Sequence, residues 1–125
     1  MVGCVGVAHS FCTDNFQVRP FEFLGVQYWS CEQAYQALRH PPGKDYDVVC
    51  AVKPFAGETD KSHGMRAYSK GHQGTDRADW NEVKLSLMLE LNRAKYDQHA
   101  DLREDLLATV SARIIGPPLY PVGSS

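Results

Sequence analysis

Apolar and polar residues alternate first at Phe21-Glu22-Phe23. Leu24-Gly25 can turn, and Val26-Gln27-Tyr28-Trp29 follows. Alternation on both sides of a glycine predicts a hairpin. The periodicity then changes. Ser30 can cap a helix, and Gln33 three residues later completes a capping-box pattern. Ala34, Tyr35 and Leu38 supply an apolar stripe, and Pro41-Pro42-Gly43 ends it. Val48 to Val52 reads as either a buried strand or a helical turn, stopped by Pro54. Three glycines, Gly64, Gly71 and Gly74, punctuate the next stretch. Trp80, Val83, Leu87, Leu91 and Ala94 recur at helical spacing, widened by Leu85, Met88 and Leu89. They predict a central helix from about Trp80 to Lys95, with Asp79 at the N-cap position. Leu102, Leu106, Leu107 and Val110 mark a further helix, and Ala112 to Ile115 a short strand. The sum is an α+β fold, mainly helical, with a small β hairpin or sheet.

Composition narrows this picture. The 125 residues amount to one domain, 1–125, with 13 Lys+Arg against 15 Asp+Glu and a net charge of −2. That balance argues against a protein living on bulk phosphate attraction. The total conceals an uneven distribution, because no acid precedes Asp14 or follows Asp105. No apolar run approaches the roughly 18 residues that span a bilayer, and the apolar start lacks the basic region of a signal peptide. The cysteines Cys4, Cys12, Cys31 and Cys50 form no C-x-x-C pair, and the histidines are scattered. Reduced thiols in a cytoplasmic or nuclear protein are expected, with no metal site.

Several residues can carry chemistry, each with an ordinary structural role beside it. Glu32 lies in a first helical turn, where the helix dipole favours the ionised carboxylate; a first-turn acid is also an ordinary helix charge. Trp80 can stack on a ligand ring or anchor the core. Asn15 can bind ribose hydroxyls or a base edge, or simply form a turn before Phe16, itself a wall residue. Gln36 sits one turn after Glu32, to hold it or touch the ligand, or as a plain exposed amide. Asp79 is a second acid or only a cap. Lys84 can meet a phosphate or pair with Glu32, and Arg39 is a phosphate candidate. Lys61, Arg66, Lys70 and Arg77 among the glycines can cradle a diphosphate or lie on a mobile loop. Cys31 beside Glu32 has its thiolate disfavoured, which speaks against a cysteine nucleophile.

Two blocks carry a family resemblance. One is Asp14-Asn15-Phe16 followed by Ser30-Cys31-Glu32-Gln33-Ala34-Tyr35-Gln36-Ala37. The other runs from Asp79-Trp80 through Lys84, Met88, Ala94-Lys95-Tyr96 and Gln98-His99 to Leu106-Leu107-Ala108-Thr109. Together they resemble the NADAR (NAD and ADP-ribose) domain family, which holds riboflavin-intermediate N-glycosidases and ADP-ribosyl-guanine glycosidases. The likeness covers roughly Asn15 to Ile115, with an insertion between His40 and Lys61. Asp14 replaces the usual serine, and Arg39 stands where many members carry lysine. Gly116 takes the place of a glutamate, so the family's acidic tail is divergent or missing after about residue 115.

The resemblance implies a metal-independent hydrolase without a cofactor, acting on an ADP-ribose-containing ligand. ADP-ribosylated DNA or RNA is the implied partner, and no membrane. Glu32 is the implied catalytic carboxylate, stabilising an oxocarbenium-like sugar or activating water. Asn15, Phe16, Gln36, Arg39, Asp79, Trp80 and Lys84 are the implied ligand-binding set. The expected reaction releases ADP-ribose and restores guanine. A phosphoribosylated riboflavin intermediate is the alternative substrate, and a non-catalytic ADP-ribose or NAD-binding module the alternative class. An unrelated helical domain is the blandest option.

Overall fold

A computed structural model describes residues 14–110. Strands β1 (Phe21–Phe23) and β2 (Val26–Tyr28) pair antiparallel, with Phe21 opposite Tyr28 and Phe23 opposite Val26. The two-residue connection puts Leu24 at φ 53° and Gly25 at φ 85°. Left-handed conformation at both central positions matches the twist of a tight hairpin, and glycine adopts it without steric cost.

Five helices follow: α1 (Cys31–Leu38), α2 (Lys44–Cys50), α3 (Asp60–Gly71), α4 (Trp80–Gln98) and α5 (Ala100–Val110). The expected fold class, mainly helical with a small antiparallel sheet, is what the chain adopts. The short strand expected at Ala112 to Ile115 lies outside the described residues.

Helix α1 is the hub, packed against α2, α3 and α4. Its start is built as the capping pattern predicts, with the Ser30 hydroxyl accepting from the Gln33 N–H at 3.0 Å. The Gln33 amide does more than close a capping box. Its oxygen accepts from the Trp29 N–H at 2.8 Å, and its nitrogen donates to the carbonyls of Val49 and Val52 at 3.1 and 2.8 Å. One buried side chain thus ties the start of α1 to the end of α2. Around it, Phe21, Tyr28, Cys31, Ala34, Ala37, Val49, Ala67 and Leu91 form the core. The alanines let α1 approach its neighbours closely.

Of the two readings open at Val48 to Val52 the helical one holds: the run sits in and after α2, and Val49 alone in that helix is fully buried. Two expectations change. The glycine-punctuated stretch is mostly α3, capped by the Thr59 hydroxyl on the Ser62 N–H, with Gly74 and Arg77 in the loop after it. Gly64 and Gly71 are contact points there, because a Cβ would run into the Phe16 ring at Gly64 and into the Gln36 side chain at Gly71. Helix α4 is not central. Leu85 and Leu89 are 74% and 66% exposed, while Trp80, Leu91 and Lys95 are buried. At 19 residues, about 28 Å, α4 outreaches the elements packed on it. Among the described residues no helix is long and apolar enough to cross a membrane.

Candidate active site

The segment before the hairpin is drawn onto the start of α1. The Glu32 N–H donates to the Asn15 carbonyl at 2.9 Å, which satisfies one of the amides a helix start leaves open. Asn15 is held from α4, where Asn92 Nδ2 donates to its Oδ1 at 3.1 Å. The buried Lys95 ammonium donates to the Asp14 carbonyl at 3.3 Å. Phe16 follows, with its ring on Gly64 of α3.

These contacts leave a cleft of about 350 Å³ between α1, α3 and the start of α4. Six of the sequence-predicted residues line it: Phe16, Glu32, Gln36, Arg39, Trp80 and Lys84. Two do not. Asn15 turns its amide to Asn92 and reaches the site through its backbone carbonyl. Asp79 is half exposed, and its carboxylate pairs with Arg77. Nor does its side chain cap α4, as expected; its backbone carbonyl accepts from Glu82 and Val83 instead.

Three lining residues were not foreseen: Tyr35, Tyr68 and His72. Tyr35 follows Glu32 by three positions, so helical spacing places it on the same side. Tyr68 lies in the last turn of α3 and His72, four positions on, caps its end, a relation visible only once that stretch is read as a helix. Their rings lie 4.0 Å apart at 30°. Across the cleft, Tyr35 and Trp80 pack at 4.9 Å and 59°, with the Arg39 guanidinium 5.5 Å from the Trp80 ring centre. Trp80 is 5% exposed, so it serves as core anchor and cleft wall together.

Glu32 is 8% exposed. Gln36 Nε2 donates to its carboxylate at 2.7 Å, and Gln36 Oε1 accepts from Arg39 at 2.9 Å. Asp76 grips Arg39 from outside, at 2.7 Å on Nε and 3.1 Å on Nη2. The direction of the relay is forced. Arginine can only donate, so the Gln36 oxygen must face Arg39 and its N–H must face Glu32. Expected to be favoured as an anion by the helix dipole, Glu32 is instead pushed above the usual carboxylate range, chiefly by burial. The Gln36 hydrogen bond and the charges of His72 and Arg39 pull it back, while Asp14 adds to the rise.

The basic residues divide. Arg66 is tied to Glu58 and Arg77 to Asp79, while Lys61 and Lys70 are exposed on α3. Among the described residues no ion pair joins Lys84 to Glu32, which leaves Lys84 as an exposed cation at the cleft. The Cys31 thiol is pushed up to about 11, first by burial, and so stays protonated. No group of three His, Cys, Asp or Glu side chains gathers as metal ligands among the described residues. A second hollow, of about 390 Å³, lies between the hairpin, the end of α1 and Tyr46. Its lining is mainly apolar and contains no carboxylate; His40 and Arg77 are its polar members beside two tyrosines.

A family model of the NADAR domain matches residues 5–117. The N-glycosidase YbiA of Escherichia coli K12 is 46% identical over 103 residues, which cover 81% of this chain and 59% of that protein. The N-glycosidase Npun_R5314 of Nostoc punctiforme is 28% identical over 98 residues, 78% of this chain and 60% of that one. This chain therefore spans about three fifths of the curated relatives it matches. The NMR structure of E. coli YbiA superposes with a TM-score of 0.62 and 26% identity, covering 83% of this chain and 67% of that one. A family model over most of the chain and a relative at 46% identity agree: the chain belongs to the NADAR domain family.

Proposed function

We propose that this chain is an N-glycosidase that hydrolyses the bond between the ribose of an ADP-ribosyl group and a guanine base, releasing ADP-ribose and restoring the base. The observation that carries the reading is the buried Glu32 carboxylate, held by Gln36 and opening on a cleft walled by aromatic rings. Breaking an N-glycosidic bond builds positive charge at the sugar's C1. A desolvated carboxylate beside that carbon stabilises the charge far more than it would in water. The same carboxylate takes a proton from the attacking water. The N–H that Gln36 is forced to present favours the ionised form that both tasks need, against the burial that opposes it.

Tyr35, Trp80 and Tyr68 offer flat faces to the ribose and the base, and Lys84 offers an ammonium to a phosphate at the rim. Arg39 is engaged by Asp76 and Gln36, so it tunes Glu32 rather than serving first as a phosphate clamp. The names of the relatives support N-glycoside hydrolysis as the reaction.

A second substrate, a phosphoribosylated riboflavin intermediate, is favoured by one observation. A cleft of about 350 Å³ sits near the small end for ligand sites and suits one ribose phosphate with one ring. Assaying both substrates with the wild type and Glu32→Gln separates the readings. Release of guanine-bearing oligonucleotide and free ADP-ribose supports the first, and release of the aminopyrimidine supports the second. Binding of ADP-ribose without product from either makes the chain a binding module. Full turnover by Glu32→Gln removes Glu32 from its role.

A further inference from the structure

Glu32 supplies a base but no acid, and a departing nitrogen base needs a proton. Of the proton-bearing side chains that line the cleft, His72 has the geometry to give it. His72 stands on the α3 wall, facing the α1 wall that carries Glu32. Its Nδ1 lies 2.9 Å from the Tyr68 carbonyl. A carbonyl only accepts, so Nδ1 carries the hydrogen. The Arg39 Nη1 at 3.5 Å from the same nitrogen cannot then donate to it and is a close approach, not a hydrogen bond. The tautomer is thereby set by the helix itself, and Nε2 is left as the nitrogen that gains and loses a proton. The Tyr68 ring lies against the imidazole at 4.0 Å, tilted by 30°.

We infer that His72 is the general acid of this cleft, protonating the leaving base through Nε2 while Glu32 acts on the water and the sugar. The inference rests on the N-glycosidase reading. The step balances. The C1–N bond breaks with its electron pair going to the base nitrogen, and the Nε2 proton goes to the base. The water oxygen bonds to C1 and gives a proton to Glu32, which returns it to solvent; Nε2 is reprotonated from solvent. An imidazole can give a proton at one step and take it back at the next, which suits both halves of the cycle.

The groups around His72 are consistent with this role. Glu32, Tyr35 and Arg39 face it from α1 and Lys84 from α4; Asp76 lies in the loop that follows, and Tyr68 on its own helix. Glu32 senses a charge at position 72, which lowers its proton affinity. The acid and the base of the proposal thus stand on opposite walls of one cleft, with Gln36 bonded to Glu32 on its own wall.

The test compares two ribosides with the wild type, His72→Gln and His72→Phe. One carries guanine, a base that departs with a proton. The other carries 4-nitrophenolate on ribose 5-phosphate, which departs without one. His72 is exposed, so both variants are expected to keep the wild-type melting temperature, checked by calorimetry. The guanine substrate should slow by about 10²- to 10⁴-fold in kcat and lose the alkaline limb of its pH profile. The nitrophenyl riboside should slow by less than about tenfold, since proton donation is the only help removed. Equal losses on both, or an unchanged alkaline limb, would overturn the assignment while the N-glycosidase reading stands. No turnover of either riboside by the wild type would overturn both.

Discussion

Alanine at position 71 places a methyl group where the Gln36 side chain now lies. A Cβ built there sits 2.8 Å from Gln36 Cβ and 2.9 Å from Gln36 Cδ. Ordinary carbon contacts are about 3.5–4.0 Å, so the overlap approaches 1 Å. Gln36 has nowhere easy to go, because Glu32 holds its nitrogen and Arg39 its oxygen. Two relaxations are open. Helices α1 and α3 can separate, an overpacking cost of about 1–3 kcal/mol. Alternatively Gln36 swings out and forfeits a hydrogen bond to a charged group, about 1.5–3 kcal/mol. Against either stands the helix preference for alanine over glycine, at most about 1 kcal/mol. The net expectation is a loss of about 1–2 kcal/mol, a fall in Tm of several degrees for a chain of this size. In a helix without this contact the same change raises Tm, so the sign alone is diagnostic. Thermal melts of the wild type and Gly71→Ala, with urea midpoints as a second probe, read it. A Tm equal to or above wild type would refute the close packing of α3 on Gln36, and with it the relay that holds Glu32.

Three further outcomes follow from the same geometry. Ser30→Ala removes a buried cap on Gln33 and should cost about 0.5–2 kcal/mol, read as a lower urea midpoint with an unchanged slope. Because burial raises the Glu32 carboxyl, the acidic limb of kcat/KM should lie above the roughly 4.3 of a free glutamate, and Arg39→Met should move it higher; a limb at or below that value contradicts the burial argument. The sign for stability is opposite to that of an ion-paired acid. A raised folded-state value gives stability that is full below about 4.3 and lost as pH climbs through the raised value, so Glu32→Gln should melt above wild type at pH 8, with the gap closing below pH 4. A Glu32→Gln protein that melts lower at pH 8 would show the carboxylate to be net stabilising.

What the sequence made legible was mostly local. A glycine at a bend between alternating runs, a serine three residues before a glutamine, and a long 3.6-residue period each act over a few positions. They give the hairpin, the start of α1 and the existence of α4. The elements that escaped are those decided by distant contacts. Gly64 and Gly71 look like helix breakers until Phe16 and Gln36 are seen pressed against them. Reading them as breakers hid α3, and with it Tyr68 and His72. The apolar middle of α4 suggested a central position, yet α1 takes that place because its alanines admit three neighbours. Glu32 was found through its motif, but the direction of its shift needed the burial that packing creates. Arg39 reads as a phosphate candidate because its partner, Asp76, lies 37 positions away.

The most direct test of the central claim is a crystal structure of the Glu32→Gln protein bound to ADP-ribose. The account predicts the distal ribose in the cleft between α1 and α3, its C1 within about 4 Å of the side chain at position 32. Trp80 or Tyr35 should lie against the sugar, and His72 on the side from which a base would leave. A distal ribose in the apolar hollow lined by Phe23 and Tyr46, or outside the reach of position 32, would contradict it.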